Sequence, residues 1–93
     1  MVIAACTIQL QLHGIHSLKQ KRSVIKPILS RLPKQFNLAV AEVDYQDVWQ
    51  SSMLGLVTVG NDVGYLHRMM EKAVEWIEDR FDVEIIDYSI EMR

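Results

Sequence analysis

The sequence predicts an α+β domain in which four strands and two helices follow the order βαββαβ. Three observations lead there. Apolar residues alternate with a period of two at the start of the chain, and strand-like apolar runs recur near residues 36–45, 53–60 and 83–92. Between them, two stretches carry apolar residues at helical spacing. No linker, repeat or low-complexity segment divides the 93 residues, so residues 1–93 are expected to form a single domain.

The first strand shows the alternation most clearly. Val2, Ala4, Cys6, Ile8, Leu10 and Leu12 point one way, and Ile3, Ala5, Thr7, Gln9 and Gln11 the other. Gly14 breaks the pattern. Ser17 opens the first helix, with Gln20 at capping-box spacing. Leu18, Val24, Ile25, Ile28, Leu29 and Leu32 recur at helical intervals, and Lys19, Lys21, Arg22, Lys26 and Arg31 fall mainly on the outer faces. Pro27 conflicts with a regular helix, because it removes a backbone hydrogen bond. Either the helix kinks there, or regular α-helix starts near Ser23 and Pro27 is a first-turn residue. Pro33 is expected to end the helix or start the loop.

Phe36 to Tyr45 reads as a second strand whose alternation fails at Glu42 and Asp44. Either a bulge shifts its register or that face leaves the core halfway. Asp47 to Ser52 reads as a loop, and Met53 to Gly60 as a third, strongly apolar strand. Asn61 or Asp62 caps a second helix with Val63, Leu66, Met69, Met70, Ala73, Val74 and Ile77 as its apolar stripe. Val83 to Met92 reads as the last strand. Two right-handed crossovers in this order give a ferredoxin-like, split-βαβ fold: a four-stranded antiparallel sheet with two helices on one face.

Composition narrows the function classes. A hydrophobic fraction of 49% and a charged fraction of 24% are those of a globular chain. No apolar run approaches the ~20 residues needed to cross a bilayer, so no membrane partner is expected. The start lacks the basic region of a signal peptide, and a cytoplasmic location is the expectation. With one cysteine no internal disulfide forms, and Cys6 reads as a core residue. The net charge is only −2, but it is unevenly placed. Residues 1–41 carry six bases and no acid, and residues 42–93 carry four bases against twelve acids. Halves of opposite sign suggest a polyanion partner for one half or association between molecules.

The stretches HSLKQKRSVIKPI, FNLAVAEVDYQDVWQ and LGLVTVGND resemble the small bacterial YlxP-like family, domain-of-unknown-function family 503. The likeness covers nearly the whole chain. It implies a ferredoxin-like fold and no assigned activity. The family's genes commonly lie beside those of a transcription elongation factor, a translation initiation factor and a ribosome-binding factor, which implies a role near RNA or the ribosome. Pro27 departs from the family pattern, which has an ordinary helix former there.

Among the candidate sites, the first helix leads. Ser17, Lys19, Lys21, Arg22 and Lys26 are candidates for binding nucleic acid through its phosphates, with Arg31 and Lys34 further along. The alternative is a solvated surface whose charges pair with acids of the second half. The segment Glu42 to Gln50 sets three carboxylates, Glu42, Asp44 and Asp47, beside Tyr45 and Trp49. It lacks the fixed spacing and glycine turn of a hard-cation loop. It reads instead as Glu42 or Asp44 pairing with Lys21 or Arg22, with Trp49, Tyr45 and Met53 as interface candidates. His13 and His16 make a weak zinc signal without a third ligand, and no metal or cofactor is implied.

Enzymatic relatives of the fold are not matched. The loop after the first strand reads His13-Gly14-Ile15-His16, without the arginine of an acylphosphatase or the two cysteines of a copper carrier. The first and third strands lack the aromatic residues with which RNA-recognition motifs stack bases. Nucleophile-elbow, P-loop and dinucleotide fingerprints are absent. The expectation is a non-enzymatic binding module, RNA- or ribosome-associated through its basic first helix. The alternative is a protein-interaction domain or homo-oligomer, such as a dimer, that uses an open sheet face or edge.

Overall fold

The computed structural model describes residues 1–93. Its elements are β1 (Val2–Gln11), α1 (Leu18–Gln35), β2 (Ala39–Asp44), β3 (Ser51–Gly60), α2 (Val63–Arg80) and β4 (Glu84–Met92). The strands form one sheet in the order β2-β3-β1-β4, and every neighbouring pair is antiparallel. This is the ferredoxin-like arrangement. No helix is long and apolar enough to cross a membrane.

The core follows from the alternation. Ala4, Cys6, Ile8 and Leu10 of β1 and Leu54 and Leu56 of β3 face the helices and are buried. They meet Ile25, Ile28 and Leu32 of α1 and Leu66, Met70, Ala73 and Ile77 of α2. Spacings of three and four put each of these helical sets on one face. Cys6 lies within this layer, and burial pushes its thiol up to about 11. It stays protonated at neutral pH and is a small hydrophobe there, not a nucleophile. The opposite side of the sheet is covered by no helix; Ile3, Ala5, Met53 and Val57 lie on it.

Several boundaries differ from those expected. α1 runs from Leu18 without interruption, so Pro27 sits mid-helix and the Ser23 carbonyl lacks its usual donor. Pro33 does not end the helix, which continues to Gln35 and closes at Phe36, whose N–H donates to the Leu32 carbonyl at 3.0 Å. A proline in the last turn removes only one intrahelical bond, and Leu32 and Ile28 still hold this turn on the core. β2 begins at Ala39 rather than Phe36, and β3 at Ser51 rather than Met53. A register shift between Glu42 and Asp44 makes Val43 the extra residue of a bulge. The Val43 side chain then leans over Gly55, where a Cβ would come to 2.9 Å from Val43 Cγ1.

Both helix starts are capped. Asp62, not Asn61, caps α2 by accepting from the Tyr65 N–H at 3.1 Å. Ser17 caps α1, its Oγ accepting from the Gln20 N–H at 3.1 Å. Gln20 Oε1 reaches back past the cap to accept from the His16 N–H at 2.6 Å. Before them, Gly14 takes a φ of +70°, the left-handed region that favours glycine. Replacing Ser17 by alanine is expected to cost about 1 kcal/mol. Urea unfolding checks this: the midpoint falls while the slope stays unchanged.

Candidate functional site

α1 contains no acidic residue, and its exposed cations line one side. Lys19, Arg22 and Lys26 are spaced three and four apart, and Lys34 follows eight further on, on the same stripe. At 1.5 Å per residue, the stripe runs about 22 Å. All four side chains are exposed, and no carboxylate lies within 4 Å of any of them. Three of them, Lys19, Arg22 and Lys26, sit in the N-terminal half of the helix, with no acid in the first turn. The helix dipole already places partial positive charge there. Positive charge therefore gathers on this side of α1 with no ion pair within 4 Å.

Lys21 does not belong to this surface. It is 2% exposed and faces inward on the same side as Ile25, Ile28 and Leu32. Its Nζ lies 3.0 Å from Glu42 Oε2, and it donates to the carbonyls of Tyr45 and Gln46. Ser52 Oγ donates to the same Glu42 oxygen at 2.6 Å. The network joins α1, β2, β3 and the loop between the strands. It satisfies an ammonium and a carboxylate that burial would otherwise penalise. It also holds Tyr45 at a φ of +61°, in the left-handed region. Lys21 is thus withdrawn from the phosphate-binding candidates: its charge is buried and neutralised.

The remaining candidates divide. Ser17 is half-buried, and its oxygen is engaged as the helix cap. The Arg31 guanidinium lies 5.7 Å from the Trp76 ring centre and 5.3 Å from that of Phe81, so it is engaged with an aromatic cluster. Trp49 is 45% exposed on the β2–β3 loop. That loop is tied to the one preceding α1: Gln50 Nε2 donates to the Ile15 carbonyl at 3.1 Å, and the Leu12 N–H donates to the Gln50 carbonyl at 2.9 Å. Trp49 therefore stands at the end of the molecule where α1 begins. Tyr45 is half-buried in the same loop, and Met53 is half-buried on the open sheet face. A groove of about 280 Å³ between α1 and this loop is lined by Arg22 and Lys26 on one side and by Glu42, Gln46 and Asp47 on the other.

The carboxylates and histidines do not converge. Glu42 is held by Lys21 and Ser52, and Asp44 Oδ1 accepts from the Tyr45 N–H at 2.8 Å. His13 Nε2 lies 3.2 Å from Glu84 Oε1, and His67 Nδ1 lies 3.0 Å from Glu71 Oε1. No three His, Cys, Asp or Glu side chains are grouped as a metal site would need.

Comparisons with known proteins agree on the kind of chain this is. The family described as "Protein of unknown function (DUF503)" matches residues 3–90. "Uncharacterized protein YlxP" of Bacillus subtilis (strain 168) is 32% identical over 68 residues, covering 73% of this chain and 74% of that protein. A solved structure titled "Structural Genomics, protein YJCS" superposes with a TM-score of 0.60 over 96% of both chains at 11% identity, a likeness of fold alone.

Proposed function

The chain belongs to the DUF503 family, whose description assigns no activity, and on that footing we propose that it is a non-enzymatic binding module for structured RNA, such as that of the ribosome. One observation carries this reading: the exposed stripe Lys19, Arg22, Lys26 and Lys34, unopposed by any carboxylate within 4 Å. Phosphates spaced along a nucleic-acid backbone meet such a row of point charges and release their counterions. Trp49, exposed at the start of the same helix, offers an unpaired base a ring to stack on. The sheet offers no stacking surface on its two central strands, since β1 and β3 carry no aromatic residue.

The test is titration of a fluorescent RNA hairpin with an unpaired loop, at several salt concentrations. Wild type is expected to bind more weakly as salt rises. The triple replacement of Lys19, Arg22 and Lys26 by alanine should weaken binding and flatten the slope of log affinity against log salt by about 2 to 3, the loss of three phosphate contacts. Equal binding by both proteins, or binding insensitive to salt, would refute the proposal. Lys21 is left intact because its loss would test the fold instead. The open face of the sheet favours a second, compatible role as a self-associating domain.

A further inference from the structure

We propose that the uncovered sheet face docks on the same face of a second copy of this chain, about a two-fold axis that crosses the strands at the level of Leu56. The proposal rests on the self-association reading and commits it to one surface and one register. Ordinarily the wet face of an antiparallel sheet is polar. Here β1 and β3, the two central strands, contain no charged residue at all. Val57 and Val59 of β3 are 43% and 56% exposed, and Val43 of β2 is 52% exposed.

The face has relief that fits itself. Val57 is flanked in register by Ala39 on one side and Ala5 on the other, so it stands as a knob between small neighbours. Two residues along β3, Gly55 lies between Ala41 and Thr7 with the Val43 side chain leaning over it, and between Val43 and Val57 runs an apolar groove of about 370 Å³. A two-fold axis between the sheets, across the strands at Leu56, exchanges these two levels. It sets each Val57 at the level of the partner's Gly55, against the groove beside the Val43 side chain.

Charge on β4 agrees with the same operator. Gln9 is paired with Asp87, and Ile3 exchanges backbone hydrogen bonds with Arg93, so Asp87 and Arg93 lie on this face at levels that the axis also exchanges. Asp87 then faces Arg93 of the second copy, an exposed guanidinium that also donates to its own Glu91 at 2.8 Å. Glu91 faces Ser89 rather than another carboxylate. Four strands spaced about 4.8 Å apart and about 33 Å long present roughly 600 Å². A standard interface takes about 800 Å² from each partner, so the pair is expected to be weak, with a dissociation constant on the order of micromolar.

Sedimentation equilibrium from micromolar to millimolar protein is the experiment. Wild type should pass from monomer to dimer across that range. Val57→Lys places an ammonium in the apolar centre and should raise the dissociation constant at least about a hundredfold. Circular dichroism checks that the variant is folded, and Val59→Lys replaces it should Val57→Lys fail to fold. The α1 triple alanine variant should dimerise as wild type does. A wild type that remains monomeric at millimolar concentration overturns self-association altogether. A dimer that tolerates both lysines overturns this face while leaving self-association in place.

Discussion

Replacing Glu42 by alanine is expected to cost about 3–5 kcal/mol, because it leaves the buried Lys21 ammonium without its counter-charge. Lys21 is 2% exposed and the Glu42 side chain 18%, so solvent screens the pair little. Ser52 Oγ, fully buried, loses its acceptor in the same variant. A domain of this size holds roughly 5–14 kcal/mol in total, so the variant should be near or past the unfolding threshold at room temperature. The double replacement Lys21→Met with Glu42→Leu removes both charges and should recover most of the loss, since an apolar pair of similar volume stabilises about as well. Urea unfolding of the three proteins decides it. A single variant as stable as wild type would mean that the pair contributes nothing.

The second large effect lies at the other end of the helices. Trp76 is 8% exposed and packs edge-on against Phe36 and Phe81, with ring centres 6.4 and 5.4 Å away. Arg31 and Arg80 lie against it, with Arg80 5.4 Å from the ring centre. Trp76→Ala is expected to cost about 3–5 kcal/mol through the cavity it leaves. Trp76→Phe should cost only about 1 kcal/mol. The indole Nε1 is buried without a partner, and removing that donor offsets part of the lost volume. Thermal unfolding distinguishes the two outcomes; a phenylalanine variant as unstable as the alanine one would show that shape, not the orphan donor, dominates.

Much of this architecture is legible in the residues. Period two in β1 and period 3.6 in α1 and α2 are local signals, and the order of elements then leaves few ways to pair the strands. Lys21 was less legible as a member of a basic cluster than as a member of an apolar row. It lies four, seven and eleven residues before Ile25, Ile28 and Leu32, and that spacing alone places it inward. Its partner could be narrowed to the acids of β2, because the alternation fails at Glu42 and Asp44. The bulge at Val43 depends on Gly55, which lies on another strand, so no local pattern in β2 reveals it. Pro33 departs from its expected place for the opposite reason. Its local preference for ending a helix is real, but Leu32 on the core side and the cap at Phe36 outweigh it.

The Lys21–Glu42 pair also sets where the outer surface stands. It clamps the loop carrying Trp49 to the helix carrying Lys19, Arg22 and Lys26, without being part of either exposed group. The distance between ring and cations is thus an inherited dimension, decided by an inner joint. The outward side chains can be exchanged one by one without altering that dimension, whereas loosening the joint would let ring and cations drift apart together.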